Sequence, residues 1–155
     1  MFLREAIEDD IELIYEWAND NTVRKNAVNK EKIIWEDHKK WYKNKILDSE
    51  TYIYILEENI GQIRFDKIED HYEIDYSIDK KYRGKGYGVI IIKEGIKKLF
   101  SDKKKKVLVK AKVKQENIAS LKVFRKCNFS LIKEEINGEE DYLIFSFNEN
   151  LKMII

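Results

Sequence analysis

Proline is absent from all 155 residues, which excludes a Pro-rich linker and leaves the turns to Asn, Asp, Gly and charged residues. A single cysteine, Cys127, excludes an intramolecular disulfide. With only His38 and His71 beside it, no Cys/His zinc set is visible, and no carboxylate motif marks a metal, so none is expected. Long apolar runs are missing too. No window approaches the roughly 20 residues of a membrane-spanning helix, and Met153-Ile154-Ile155 is far too short for an anchor. Met1-Phe2-Leu3-Arg4-Glu5 lacks the basic start, apolar stretch and small-residue cleavage site of a secretory signal, so a cytoplasmic location is expected. Neither sign of charge dominates: 30 Lys and Arg face 29 Asp and Glu, for a net charge of +1. No overall field holds such a chain on nucleic acid or an acidic membrane, so neither partner is expected and any anion site must be local. With 43% hydrophobic residues and a charged fraction of 38% against an average near 25%, the composition is that of a folded domain with an ionic surface. No repeat or linker divides it, and one domain over residues 1–155 is expected.

Periodicity supplies the elements. Met1 to Ala6 reads as a short strand, and Glu8-Asp9-Asp10 caps a helix carrying Ile11, Ile14, Tyr15 and Ala18 on one face and ending near Asn19-Asp20. A polar segment from Asn19 to Lys32 leads to a second helix, Trp35 to Ile46. Tyr52 to Leu56 and Ile60 to Phe65 form a hairpin about Glu58-Asn59, and Tyr72 to Ile78 alternates as a third strand. Beyond a glycine loop, Val89, Ile92, Ile96 and Leu99 or Phe100 stripe a helix that is expected to stop before Ser101-Asp102. The four lysines from Lys103 to Lys106 are expected to be solvated, and a strand follows from Lys106 to Val113. Asn117 caps a short helix with Ile118, Leu121 and Phe124 on one face, and Asn128 suits a left-handed residue past its end. Strands at Phe129 to Ile136 and Asp141 to Phe147 pair across Asn137-Gly138, a type I′ turn signal. The class is α/β in the α+β sense: a mixed sheet of seven strands, mostly antiparallel, flanked by about four helices.

Two stretches carry chemistry. Tyr82-Arg83-Gly84-Lys85-Gly86-Tyr87-Gly88 joins a strand to a helix, where alternate glycines turn backbone N–H groups toward an anion and the helix start adds unpaired donors. It fits neither the nucleoside-triphosphate loop nor the dinucleotide G-x-G-x-x-G, in which Val89 would have to be glycine. Further on, Asn117-Ile118-Ala119-Ser120 leads into Phe124-Arg125-Lys126-Cys127-Asn128-Phe129. Together these resemble the GNAT superfamily of acetyl-coenzyme A N-acetyltransferases. Arg83, Gly86 and Gly88 match its pyrophosphate loop R/Q-x-x-G-x-G/A. Asn117, Ser120, Phe124, Lys126 and Phe129 match its later N-x-x-S-x-x-x-F/Y-x-K-x-G-F pattern, with Asn128 in place of the glycine. Nearly the whole chain follows the element order of that fold.

The resemblance implies acetyl-coenzyme A as cofactor, held by Ile78, Asp79, Arg83, Gly84, Lys85, Gly86, Tyr87, Gly88, Asn117, Ser120, Phe124 and Lys126. Its pantetheine arm would enter a splay between the strands ending at Ile78 and beginning near Lys106. Backbone donors near Ile78 would then face the thioester oxygen and stabilise the tetrahedral oxyanion. Phe124 stands where many members carry a tyrosine that protonates the departing thiolate, which leaves water or another hydroxyl for that task. Glu73, then Asp75, are candidate bases for the acceptor amine, with Ser77 next on the same face; the alternative is two solvated charges on an open strand face. Cys127, with no histidine near it in sequence, reads as a small buried hydrophobe rather than a nucleophile.

The acceptor side implied by the resemblance is the N-terminal helical segment with the second hairpin strand: Trp17, Asn19, Arg24, His38, Trp41 and Arg64. Trp stacking and Arg pairing suit a nucleotide diphosphate or sugar, although Trp17 and Trp41 also suit a core. The segment looks like the branch that N-acetylates nucleotide-linked amino sugars. It is less like the branches acting on ribosomal-protein N-termini or polyamines, and a catalytically silent acetyl-coenzyme A-binding module is the alternative of a different class. The partner expected is a small-molecule amine, with the chain a monomer or homodimer.

Overall fold

The structure is a computed structural model that describes residues 1–136 and 140–148. Seven strands form one sheet: β1 (Leu3–Glu5), β2 (Thr51–Leu56), β3 (Gly61–Ile68), β4 (His71–Ile78), β5 (Val109–Lys114), β6 (Phe129–Ile136) and β7 (Asp141–Phe147). Their order across the sheet is β1-β2-β3-β4-β5-β7-β6, antiparallel everywhere except between β4 and β5. Five α-helices accompany them: α1 (Ile11–Ala18), α2 (Asn21–Asn26), α3 (Trp35–Leu47), α4 (Tyr87–Lys103) and α5 (Ile118–Lys126). The mixed, mostly antiparallel sheet of seven strands is the one expected from the sequence.

Period-two alternation sends the side chains of β2 into two cores, one on each face of the sheet. Tyr54, Leu56, Ile63, Phe65 and Ile74 point to the face covered by α4, where Ile91, Ile92, Ile96 and Leu99 pack, and Phe124 of α5 extends this core. Ile53 and Ile55 point the other way, onto Ile14, Trp17 and Tyr42 of α1 and α3. That second layer covers only part of the sheet. Beyond it the same face of β3 and β4 carries polar cross-strand partners: Gln62 opposite Ser77, Arg64 opposite Asp75 and Asp66 opposite Glu73.

Departures from the sequence reading have local causes. The segment after Asn19 contains α2, because the Asp20 carboxylate accepts from Thr22 N (3.0 Å) and Val23 N (3.3 Å) and caps a helix that lacks an apolar stripe. α4 runs on through Ser101 to Lys103, its last turn held where Asp102 accepts from the Tyr54 hydroxyl at 2.7 Å. Lys103 is not simply solvated: its ammonium lies over the Tyr52 and Tyr72 rings and 3.4 Å from Glu50. β5 consequently starts at Val109, not Lys106. Asn117 does cap α5, accepting from Ser120 N at 3.3 Å, and Asn128 is left-handed with φ 65°. The Asn137-Gly138 turn lies outside the described residues, as does the Met153-Ile154-Ile155 end.

At one point the sheet tolerates only glycine. A Cβ on Gly61 would lie 2.5 Å from the Ser77 carbonyl oxygen and 2.9 Å from Ile78 Cδ1, so β3 or the end of β4 would have to move. Gly61→Ala is expected to destabilise the fold by about 1–3 kcal/mol through this overpacking. Chemical unfolding checks it, and an unchanged midpoint would show that the strand end yields freely.

Candidate active site

β4 and β5 run parallel, yet they pair only at Tyr72 with Val109 and Glu73 with Lys110. Beyond that point β4 continues to Ile78 and β5 to Lys114 without a ladder between them. β5 remains fully engaged with β7 on its other side, so the sheet opens into a fork. Past the Glu73–Lys110 pair β4 has no strand partner on its fork side among the described residues, and apart from the Ile78 carbonyl, which accepts from Arg83, its edge can bond an extended ligand as a further strand would. A cleft of about 1010 Å³ runs through it, bordered at one end by Gly84, Gly86 and Gly88, in the middle by Asp75, Ser77 and Phe124, and at the other end by Arg24, Trp41 and Arg64.

The glycine end is built around the start of α4. Gly86, with φ 85°, caps the helix in the left-handed region, where a side chain is strained. The N–H groups of the first turn have no partner within the helix and gather positive potential at the cleft. Arg83 lines this end, but its guanidinium is engaged inward, donating to the Ile78 carbonyl at 3.0 Å and to Asp20 Oδ2 at 2.8 Å. Asp79 accepts from Trp17 Nε1 at 3.0 Å and Lys81 N at 2.9 Å. Burial pushes its carboxyl up, and these bonds outweigh that to hold it below the usual range. Lys85 and Tyr87 lie outside the cleft wall, Lys85 over the Tyr82 ring and Tyr87 edge-on to the same ring. Asn117, Ser120, Phe124 and Lys126 border the cleft from α5 and its cap, and Ile78 borders it from β4.

In the middle, Gln62 of β3 is 6% exposed and divides its amide between β4 partners, donating to Asp75 Oδ2 at 3.1 Å and Ser77 Oγ at 3.2 Å. Arg64 Nη1 lies 3.7 Å from the same Asp75 oxygen. Asp75 is thus an exposed carboxylate oriented at the cleft. Glu73 sits two residues deeper, where the fork closes, and does not border the cleft. Burial pushes its carboxyl above the usual range, against the pull of Lys112 and His71.

At the far end the expected acceptor residues divide. Trp41 and Arg64 line the cleft, the guanidinium 4.9 Å from the indole centre, and Arg64 Nε donates to Asp66 at 2.7 Å. Arg24 lines it too, but its donors reach the Ala18, Asn29 and Glu31 carbonyls at 2.7, 2.9 and 3.3 Å, folding the segment before α3. Trp17 and Asn19 do not border it: Trp17 packs from α1 into the second core and holds Asp79, and Asn19 bonds both backbone groups of Ile33. His38 touches the cleft but is 2% exposed, with Nε2 2.8 Å from the Ile11 carbonyl oxygen and rings of Tyr15, Trp35, Trp41 and Tyr42 about it. Three further residues were not singled out by sequence. Gln62 orients Asp75, Asp20 ties α2 to Arg83, and buried Lys114 joins the Lys25 carbonyl to Glu140 at the cleft edge. Only Asp20 carried a signal, its capping position before Thr22.

Cys127 is 1% exposed, 3.7 Å from the Val89 carbonyl oxygen, and burial pushes its thiol up to about 11. A neutral buried thiol with no base is a poor nucleophile. Cys127→Ala is therefore expected to keep most of its turnover; a thioester adduct on Cys127 found by mass spectrometry would overturn this. Among the described residues no group of three or more side chains suits a metal ion, and no helix is long and apolar enough to cross a membrane.

Residues 1–130 match the acetyltransferase (GNAT) domain family. No curated protein sequence matches the chain. Among solved structures, spermidine N-acetyltransferase from Vibrio cholerae in complex with CoA and spermine superposes with a TM-score of 0.80 at 18% identity, covering 94% of each chain. AAC(6')-Ib in complex with ribostamycin and coenzyme A also gives 0.80 at 18% identity, over 96% of this chain and 93% of that one. A domain from Methanocaldococcus jannaschii gives 0.75 at 22% identity, over 94% and 97%. At these identities the likeness is one of fold.

Proposed function

The chain belongs to the acetyltransferase (GNAT) family, and we propose that it transfers the acetyl group of acetyl-coenzyme A directly to a primary amine of a small acceptor. The observation that carries this reading is the fork: an open strand edge leading from unpaired helix donors to an oriented carboxylate. A pyrophosphate fits the first turn of α4, and an extended amide-bearing arm fits the free edge of β4. Acetyl-coenzyme A, when bound, supplies an activated thioester. Backbone N–H groups at the end of β4 stabilise negative charge on the carbonyl oxygen, and Asp75, fixed by Gln62, takes the proton of the acceptor amine through water.

For the acceptor, two carboxylates at the far end of the cleft favour a small amine with further ammonium groups, of polyamine or aminoglycoside type, over a nucleotide-linked amino sugar. The arginines suited to a diphosphate already have partners, Arg24 in backbone carbonyls and Arg64 in Asp66 and Asp75. By contrast Glu31 and Asp37 border the cleft, and among the described residues neither carboxylate has a partner. The Trp41–Arg64 stack still offers a surface for a ring, which is the feature favouring the sugar reading. A thiol-release screen over polyamines, aminoglycosides, peptides and nucleotide-linked amino sugars decides. Turnover confined to nucleotide-linked sugars would overturn the polycation reading; tight cofactor binding with no thiol release would favour a silent binding module.

A further inference from the structure

Aminolysis of a thioester must expel a thiolate, and Phe124 offers that sulfur no hydrogen bond. A hydroxyl stands beside it. Tyr76 of β4 meets Phe124 edge to face, ring centroids 5.6 Å apart, and its Oη lies 3.0 Å from Ser120 Oγ of α5. The pair holds two hydroxyl protons and uses one between its members. Whichever oxygen donates, the other proton has no acceptor among the described residues, and both side chains border the cleft. Their place in the fork is specific. Tyr76 lies beyond the last β4–β5 pair, its ring 3.5 Å from where a Cβ on Gly88 would stand, and so between the glycine end and Asp75. A donor bound with its pyrophosphate at α4 and its acetyl group near Asp75 must pass this point.

Resting on the function proposed above, we infer that the Tyr76–Ser120 pair directs its spare hydroxyl proton at the sulfur of the acetyl donor and stabilises the thiolate as it departs. When the tetrahedral intermediate collapses, the C–S bond breaks and its electron pair moves to sulfur. Tyr76 keeps its proton and acts as a hydrogen-bond donor. The thiolate, with an acidity like the roughly 8.5 of cysteine, takes its proton later from solvent. Burial pushes the Tyr76 hydroxyl up to about 12, against the Ser120 bond, so the group stays protonated through the working range as a donor must.

The test uses the full chain with Tyr76→Phe, Ser120→Ala and the double variant Tyr76→Phe/Phe124→Tyr, which moves the hydroxyl across the ring pair. Tyr76→Phe is expected to lower turnover about 100-fold and Ser120→Ala about tenfold, with acetyl-coenzyme A affinity kept, and the double variant to recover at least about tenfold. A second readout needs no turnover. Free coenzyme A carries the thiol and acetyl-coenzyme A does not, so a donor at sulfur makes the first bind increasingly tightly, relative to the second, as pH rises through the thiol's range. Calorimetry is expected to show that rise in the wild type, its loss in Tyr76→Phe and its return in the double variant. An identical pH dependence in wild type and Tyr76→Phe overturns the inference. So does a fall in turnover matched by lost acetyl-coenzyme A affinity and not recovered in the double variant, since the ring would then only shape the fork. Should the wild type acetylate no amine, the proposed function fails, while the calorimetric comparison still decides the part of Tyr76.

Discussion

Asp75→Asn is expected to lower turnover at saturating acceptor by about 10²–10⁴-fold, the range a positioned base contributes, with little change in acetyl-coenzyme A affinity. Asparagine keeps the shape and an oxygen for Gln62 but has no basicity. An alkylammonium of pKa near 10.4 is almost wholly protonated at neutral pH, so wild-type turnover should rise with pH and the variant should lose or shift that limb. Glu73→Gln is expected to behave differently. Folding raises the Glu73 pKa, so its contribution to stability is present below the unfolded value and lost as pH rises through the folded one. Ionised Glu73 therefore weakens the fold at neutral pH. Glu73→Gln should raise the unfolding midpoint near pH 7, the gain vanishing below about pH 4 where both states are protonated, and keep most of its turnover. Wild-type turnover and an unchanged pH profile in Asp75→Asn, with loss in Glu73→Gln, would return the base to Glu73. If neither variant loses turnover, proton removal passes to Ser77 or to backbone-held water.

What could be read in advance was what is local in sequence. The aromatic and β-branched run Tyr52 to Leu56, the alternation of Tyr72 to Ile78, the Asn117 cap and the left-handed Asn128 each depend on neighbours within a few residues, and each stands in the structure. Which of the two carboxylates on β4 borders the cleft was not legible, because it depends on where the parallel pairing with β5 stops, 35 or more residues along the chain. Gln62 has a role only through its register with Ser77. Trp17 and Arg83 look like ligand-binding side chains by type, yet each has a distant partner, Asp79 and Asp20, that composition cannot reveal. Those two bonds join α1 and the cap of α2 to the turn between β4 and α4. Acceptor wall and cofactor loop are thereby tied together at the mouth of the fork.

Gly86→Val is expected to abolish measurable acetyl-coenzyme A binding while the far-ultraviolet spectrum remains that of a folded chain. At φ 85° a β-branched residue is strained, costing about 1–2 kcal/mol or more in the left-handed region, and relief of that strain rotates the first-turn N–H groups away from the anion. Nothing lies within 4 Å of the added Cβ, so packing resists neither the substitution nor the rotation, and the damage stays in the loop. Gly88→Val reaches the same outcome by another route: its Cβ would stand 3.3 Å from Val123 Cγ2 and 3.5 Å from Tyr76 Cε2, so the larger side chain pushes α4 from α5 and intrudes on the cleft. Hydrogen bonds to a charged group are worth about 1.5–3 kcal/mol each, so losing two weakens binding by about 10²–10⁴-fold. Calorimetry with acetyl-coenzyme A measures this directly, and adding salt distinguishes lost charge contacts from lost apolar ones, since only the former are screened. Undiminished binding in both variants would remove the pyrophosphate from the start of α4. Loss in Gly88→Val alone would instead place the cofactor's contact at the α4–α5 seam, with the left-handed turn at Gly86 serving only to start the helix.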